Sequence, residues 1–144
     1  MTAKDIISLA NDLKSTWNTN NPYDIAKRFG IEVIHRKTNI KDFTAQTVKF
    51  NGYPTIISIN DAYTDSSKCI LCAHELGHAL LHENYINHFA ITNNNISTNV
   101  ELEANLFAVA LLSNNNIDAD LAIPLHQMNN YLLKSILDFN LEFK

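Results

Sequence analysis

The chain has little that would send it to a nucleic acid or into a membrane. Its formal net charge is −4, from 11 Lys+Arg against 15 Asp+Glu. A nucleic-acid surface needs a basic stripe, and this balance argues against one. No apolar run approaches the roughly 20 residues that a membrane span requires. The first residues carry no apolar signal-peptide core, because Asp5, Asn11, Asp12 and Lys14 interrupt it. The expected compartment is therefore the cytoplasm, with no membrane partner and no direct nucleic-acid binding. Cysteine is scarce, with Cys69 and Cys72 the only two. Their i, i+3 spacing in a helical stretch does not suggest a structural disulfide. A redox CxxC would lack its usual thioredoxin surroundings. The plainer reading is two small apolar side chains packing a helix. Internal repeats and domain linkers are also missing, so 144 residues are expected to form a single domain over 1–144.

Periodicity supplies the elements. Ile6, Ile7, Ala10, Leu13 and Trp17 lie at helical spacing within a segment from Ala3 to Trp17. A second helix is expected to start with Asn21 as cap and Pro22 at its first position, and to stop at Gly30. Ile31 to Ile34 reads as a strand. Phe43 to Phe50 and Thr55 to Ile59 read as two more around Asn51-Gly52, a hairpin signal. Pro54 lacks a ladder donor, so the second hairpin strand should begin beyond it. Ser66 or Ser67 is the expected cap of a long helix reaching about His82. That helix carries Ile70, Leu71, Ala73, Leu76, Ala79 and Leu80, apolar on most sides and hence buried. Glu101 to Leu112 reads as another apolar helix, and Gln127 to Phe139 as a last one. The Asn-rich patches at 93–95 and 114–116 read as loops. The order is α+β, with a small sheet segregated from the later helices.

One motif carries chemistry. His74-Glu75-Leu76-Gly77-His78 is HExxH. Residues four apart on a helix share a face, so both imidazoles can reach one ion. A catalytic zinc takes three protein ligands and leaves one position open. Glu75, beside the first histidine, can reach a water rather than the metal and act as general base and then general acid. The rival is chance occurrence on a solvated helix face. The apolar neighbours oppose it, because two histidines and a glutamate in a buried helix need partners. Gly77 costs about 1 kcal/mol of helix stability against alanine, so a packing reason is expected.

The third ligand must come from elsewhere. A metzincin would place a histidine at position 84, where the chain has Asn84. His82 shares the helix face, but three such side chains spread too far along a straight axis to chelate one ion. It reads as a supporting or cleft residue, or as a helix-end histidine facing the dipole. His88 lines the cleft or is a solvated loop residue; His35 and His126 are assigned nothing. Glu101 and Glu103 are the acids of the later helix. They lie on roughly opposite faces, and Glu101 is chosen because it shares its face with Ala104, Asn105 and Ala108. The small residues allow close approach, and Asn105 could hydrogen-bond a ligating imidazole. Glu103 reads as a partly exposed acid favoured by the helix start.

HELGH, a histidine four residues on, and then Glu101-Leu102-Glu103-Ala104-Asn105-Leu106-Phe107-Ala108 with Leu111-Leu112 resemble the ImmA/IrrE family of bacterial and phage metallopeptidases. Segments around Ile25 to Ile31 and Ile57 to Asn60 also fit, so the resemblance runs from about Pro22 to Leu112. Two departures, Ser113 for a usual Met-Pro and Lys68 to Ala73 for a usual Arg-Phe-Thr-Leu-Ala, bear on the subfamily rather than on a ligand. The resemblance implies a zincin-like fold with a small antiparallel sheet whose edge strand runs over the cleft. It implies one zinc ion per chain, held by His74, His78 and Glu101. It also implies a protein substrate, a helix-turn-helix transcriptional repressor of a phage or mobile element. The strand Thr55 to Ile59 either binds that substrate by strand addition or is interior with no free edge. Two other functions stay open: a catalytically silent anti-repressor whose metal only locks the fold, and a toxin–antitoxin or stress component using the same chemistry on another target.

Overall fold

A computed structural model describes residues 2–37, 44–82, 99–120, 142 and 144. Helix α1 (Ala3–Trp17) opens with a capping box in which Thr2 and Asp5 exchange backbone-to-side-chain hydrogen bonds. It closes on Asn18 in the left-handed conformation at φ 50°. Helix α2 (Pro22–Arg28) has the expected Asn21 cap, whose side chain accepts from Tyr23 N at 2.9 Å. Three strands follow: β1 (Glu32–Arg36), β2 (Ala45–Val48) and β3 (Ile56–Asn60). Helix α3 (Asp65–Leu81) carries the HExxH residues, and α4 (Asn99–Leu112) runs alongside it. The expected helix over 127–139, the Asn patch at 93–95, His88 and His126 lie outside the described residues.

The architecture is α+β; two details differ from expectation, and one open alternative is decided. The sheet is mixed rather than antiparallel: β3 pairs antiparallel with β2 but parallel with β1. The order β1-β3-β2 puts β3 in the middle. Both of its edges are paired, so the Thr55 to Ile59 strand cannot take a substrate by strand addition. The cap of α3 is Thr64 rather than Ser66 or Ser67. Thr64 has extended backbone and its side chain accepts from Ser67 N at 3.3 Å, whereas Ser66 and Ser67 already lie within the first turn.

Helix α3 is the centre of the molecule. One side meets β2 and β3, another meets α4, and α2 also packs on it. Helix α4 is itself covered by α1. The core is built from Ile6, Ile7 and Ala10 of α1, Ile57 and Ile59 of β3, Leu71 and Leu76 of α3, and Leu106, Phe107 and Leu111 of α4. Both later helices are buried around most of their circumference, as apolar character on all sides requires. Among the described residues no helix is long and apolar enough to cross a membrane.

Candidate metal centre

The crossing of α3 and α4 decides where the polar side chains meet. A Cβ added at Gly77 would lie 3.2 Å from Ala104 Cα and 3.3 Å from Ala104 O. The glycine and the alanine therefore let the two backbones touch. One turn before Ala104 on α4, Glu101 is brought against the histidines of α3. His74 Nε2 lies 3.2 Å from Glu101 Oε2, and His78 Nε2 lies 3.3 Å from Glu101 Oε1. The two Nε2 atoms are 3.1 Å apart. Both imidazoles are fully buried and Glu101 nearly so. Among the described residues these three form a group of donors able to hold a metal ion.

The hydrogen bonds behind the imidazoles set what faces the centre. His74 Nδ1 meets Asn105 Oδ1 at 2.7 Å. An amide oxygen only accepts, so Nδ1 carries the proton and Nε2 presents a lone pair. His78 Nδ1 meets His82 Nδ1 at 2.9 Å, and His82 Nε2 meets Glu103 Oε1 at 2.9 Å. Glu103 Oε1 accepts a hydrogen bond from His82 Nε2. In the tautomer with a single N–H at Nε2, His82 accepts at Nδ1 from His78, and the His78 Nε2 lone pair faces the centre. Two imidazole lone pairs and a carboxylate thus point at one another, an arrangement that asks for a cation. Zinc bonds of about 2.0–2.1 Å in a tetrahedron separate their donors by roughly 3.3–3.4 Å. The two imidazole nitrogens, 3.1 Å apart, come close to that edge, and each has a different Glu101 oxygen at 3.2 or 3.3 Å.

Glu75 sits beside this group and outside it. Its side chain is fully buried, and neither carboxylate oxygen has a hydrogen-bond partner among the described residues. Its nearer oxygen is 3.9 Å from His74 Nε2. The Thr47 hydroxyl donates to the main-chain carbonyl of Glu75 at 3.2 Å. Burial, and secondly the charge of Glu101, push the Glu75 carboxyl well above its ordinary value. Such a shift favours the protonated form and makes the ionised carboxylate the stronger base.

The structure brings together His74, His78, Glu101 and Asn105 and keeps Glu103 apart from the three donors. His82 stands behind His78 and does not join the donor group. The pairing of Glu103 with His82 is absent from the sequence reading, which left Glu103 as a dipole-favoured acid. The repeated i, i+4 histidines and the Glu-x-Glu spacing are the signal that could have suggested it. Lys49 is a second omission: its ammonium donates to the carbonyls of Ala79 and His82 at 2.9 and 3.0 Å and closes the C-terminus of α3. His35 lies away from the centre, with its Nε2 3.3 Å from the Tyr23 hydroxyl. Cys72 is fully buried and Cys69 partly so, both are free, and burial pushes both thiols up. Neither is a ready thiolate, which supports packing over redox chemistry.

Comparison with known proteins bears on the same stretch of chain. The family described as the IrrE N-terminal-like domain, a peptidase family, matches residues 26–130. The uncharacterized immunity region protein 2 of Bacillus phage phi105 is 34% identical over 97 residues, which cover 67% of this chain. The match spans 60% of that relative's length. No solved structure matches.

Proposed function

Because this chain belongs to the IrrE N-terminal-like family of peptidases, we propose that it is a zinc-dependent peptidase that cuts a specific protein, a helix-turn-helix transcriptional repressor of a phage or mobile element. His74, His78 and Glu101 hold the metal, and Glu75 is the general base. One observation carries this reading: two imidazoles and a carboxylate that could share one metal ion converge beside a second buried carboxylate that has no hydrogen-bond partner among the described residues. A zinc ion at that place would polarise the scissile carbonyl and lower the pKa of a water molecule. Glu75 accepts the proton of the attacking water and passes it to the leaving amine. Its dry surroundings keep that proton from bulk solvent.

A closed, structural site would need a fourth protein donor. His82 has its two nitrogens turned to His78 and Glu103, and neither cysteine joins the donor group among the described residues. This favours the enzyme over a silent anti-repressor. Strand β2 is the edge strand nearest the catalytic helix among the described residues, tied to it by the bond from Thr47 to Glu75 O. An extended substrate segment would pair there rather than on β3. The similarity to a phage immunity region protein supports a repressor as the target.

The test is co-expression with repressors encoded near the gene, read on a gel for fragments. Wild-type chain yields two defined fragments and Glu75→Gln leaves the repressor whole. Derepression with uncut repressor from both would replace the enzyme by the binding protein.

A further inference from the structure

The two imidazoles that converge on Glu101 are held from behind by unlike chemistry. His74 leans on a neutral amide, the oxygen of Asn105. His78 leans on His82, and His82 leans on a carboxylate, Glu103. The side chains of His82 and Glu103 are 9% and 15% exposed, so the pair is largely withdrawn from water. His82 is the C-cap residue of α3. Its main-chain carbonyl is gripped by Lys49, which fixes the backbone from which the ring projects. Glu103 lies two residues beyond Glu101 on α4. The chain His78–His82–Glu103 therefore runs from the metal centre back to the second helix through hydrogen bonds of 2.9 Å at each step.

We propose that His82 and Glu103 form a positioning relay that sets how tightly His78 holds the metal. This rests on reading His74, His78 and Glu101 as the metal site. The relay does two things. First, it fixes which nitrogen of His78 carries the proton. A carboxylate can only accept, so an imidazole at 82 with a single N–H donates it from Nε2, accepts at Nδ1 and obliges His78 to donate from Nδ1. The bare nitrogen of His78 is then the one facing Glu101. Second, it passes charge. Hydrogen bonds in series polarise one another, so the negative charge of Glu103 enriches the donor nitrogen of His78 through the intervening ring. A carboxylate behind a ligating histidine raises its basicity and holds its plane. Here an extra imidazole extends the reach of that carboxylate. Asn105 fixes the proton of His74 in the same way but brings no charge, so the two histidines are unequal ligands.

The competing account is a clasp: His82 and Glu103 as a polar pair that docks α3 on α4 and does nothing for the metal. It predicts lost stability with unchanged metal affinity, and the two accounts separate in one experiment. Zinc affinity of the purified full chain is measured by competition with a chromophoric chelator. The thermal midpoint of the metal-free protein is measured alongside. The variants are Glu103→Gln, His82→Leu and His82→Asn, with His74→Ala as control. Glu103→Gln keeps the volume and removes the charge, and is expected to weaken zinc binding about tenfold. His82→Leu removes both proton acceptor and charge path, and is expected to lose between about tenfold and a hundredfold. His82→Asn puts an amide oxygen where the ring nitrogen was, as Asn105 does for His74. It should recover most of the His82→Leu loss and come to rest near Glu103→Gln.

Wild-type zinc affinity in both Glu103→Gln and His82→Leu would overturn the relay, whatever happens to the thermal midpoint. So would an Asn variant no better than Leu while both fold as the parent does. If His74→Ala also binds zinc as the parent does, the metal-site reading has failed and not the relay alone.

Discussion

Glu75 is the residue on which chemistry and stability oppose one another most directly. A buried carboxylate without a hydrogen-bond partner is costly, and this one is fully buried with none among the described residues. Replacing it by the isosteric amide removes the charge and leaves the shape. Glu75→Gln is therefore expected to keep its zinc and its fold, and to lose about 10²- to 10⁴-fold in repressor cleavage, the usual worth of a general base. Zinc content and a cleavage time course on one preparation check this, and wild-type cleavage would remove Glu75 from the mechanism. Glu101 and Glu103 make the second comparison. Glu101→Gln removes a donor from the group and should abolish tight binding, whereas Glu103→Gln should only weaken it. The reverse order would assign the third donor to Glu103. Much at this scale was legible in the sequence. The spacing of His74 and His78, and the facing of Glu101 with Ala104 and Asn105, are helical arithmetic. The partnership of His82 and Glu103 was not, because it depends on how far α3 slides along α4, and no local periodicity records that.

Between elements, the contact at Gly77 decides whether Glu101 reaches the imidazoles. A methyl group there would press on Ala104 Cα at 3.2 Å and on Phe107 Cδ1 at 3.2 Å. The phenyl ring can give way and the α4 backbone cannot. Overpacking typically costs about 1–3 kcal/mol, against about 1 kcal/mol returned by alanine's better helix propensity. Gly77→Ala is thus expected to lower the thermal midpoint by a few degrees and to weaken zinc binding as Glu101 is pushed away. A midpoint equal to or above the parent's would show that the crossing has slack. Small residues at 77, 104 and 108 were visible in the sequence as an allowance for close approach. Strand pairing was not visible. The hairpin of β2 and β3 follows from its turn, but the parallel pairing of β1 with β3 joins segments distant in the chain, and nothing local specifies it. Among the described residues that pairing makes β3 interior and leaves β2 as the edge strand nearest α3.

Across the whole molecule, the start of α3 is anchored by contacts from distant parts of the chain. The Lys68 ammonium is buried and lies 2.7 Å from Asp61 Oδ1, joining the end of β3 to α3. Near the same place Thr64 N donates to Glu142 O, and Glu142 N donates to Ser67 Oγ at 2.9 Å. The hydrogen bond from Lys68 holds the Asp61 carboxyl below the ordinary aspartate range. A depressed folded value means the pair's contribution is complete above that range and is lost as pH falls through it. Asp61→Asn should therefore lower the thermal midpoint at neutral pH, with the gap to wild type closing in acid below about pH 4. A gap that stays constant into acid would show that the ion pair is not its source. The succession of helix, helix, small sheet and helices was legible because each element's periodicity is local, whereas these anchoring contacts are not.

The central claim is that His74, His78 and Glu101 hold one metal ion. Elemental analysis of the purified chain beside the His74→Ala/His78→Ala double variant tests it most directly. About one zinc per wild-type chain and none in the double variant is the predicted result; a double variant that keeps its full complement of metal would contradict it.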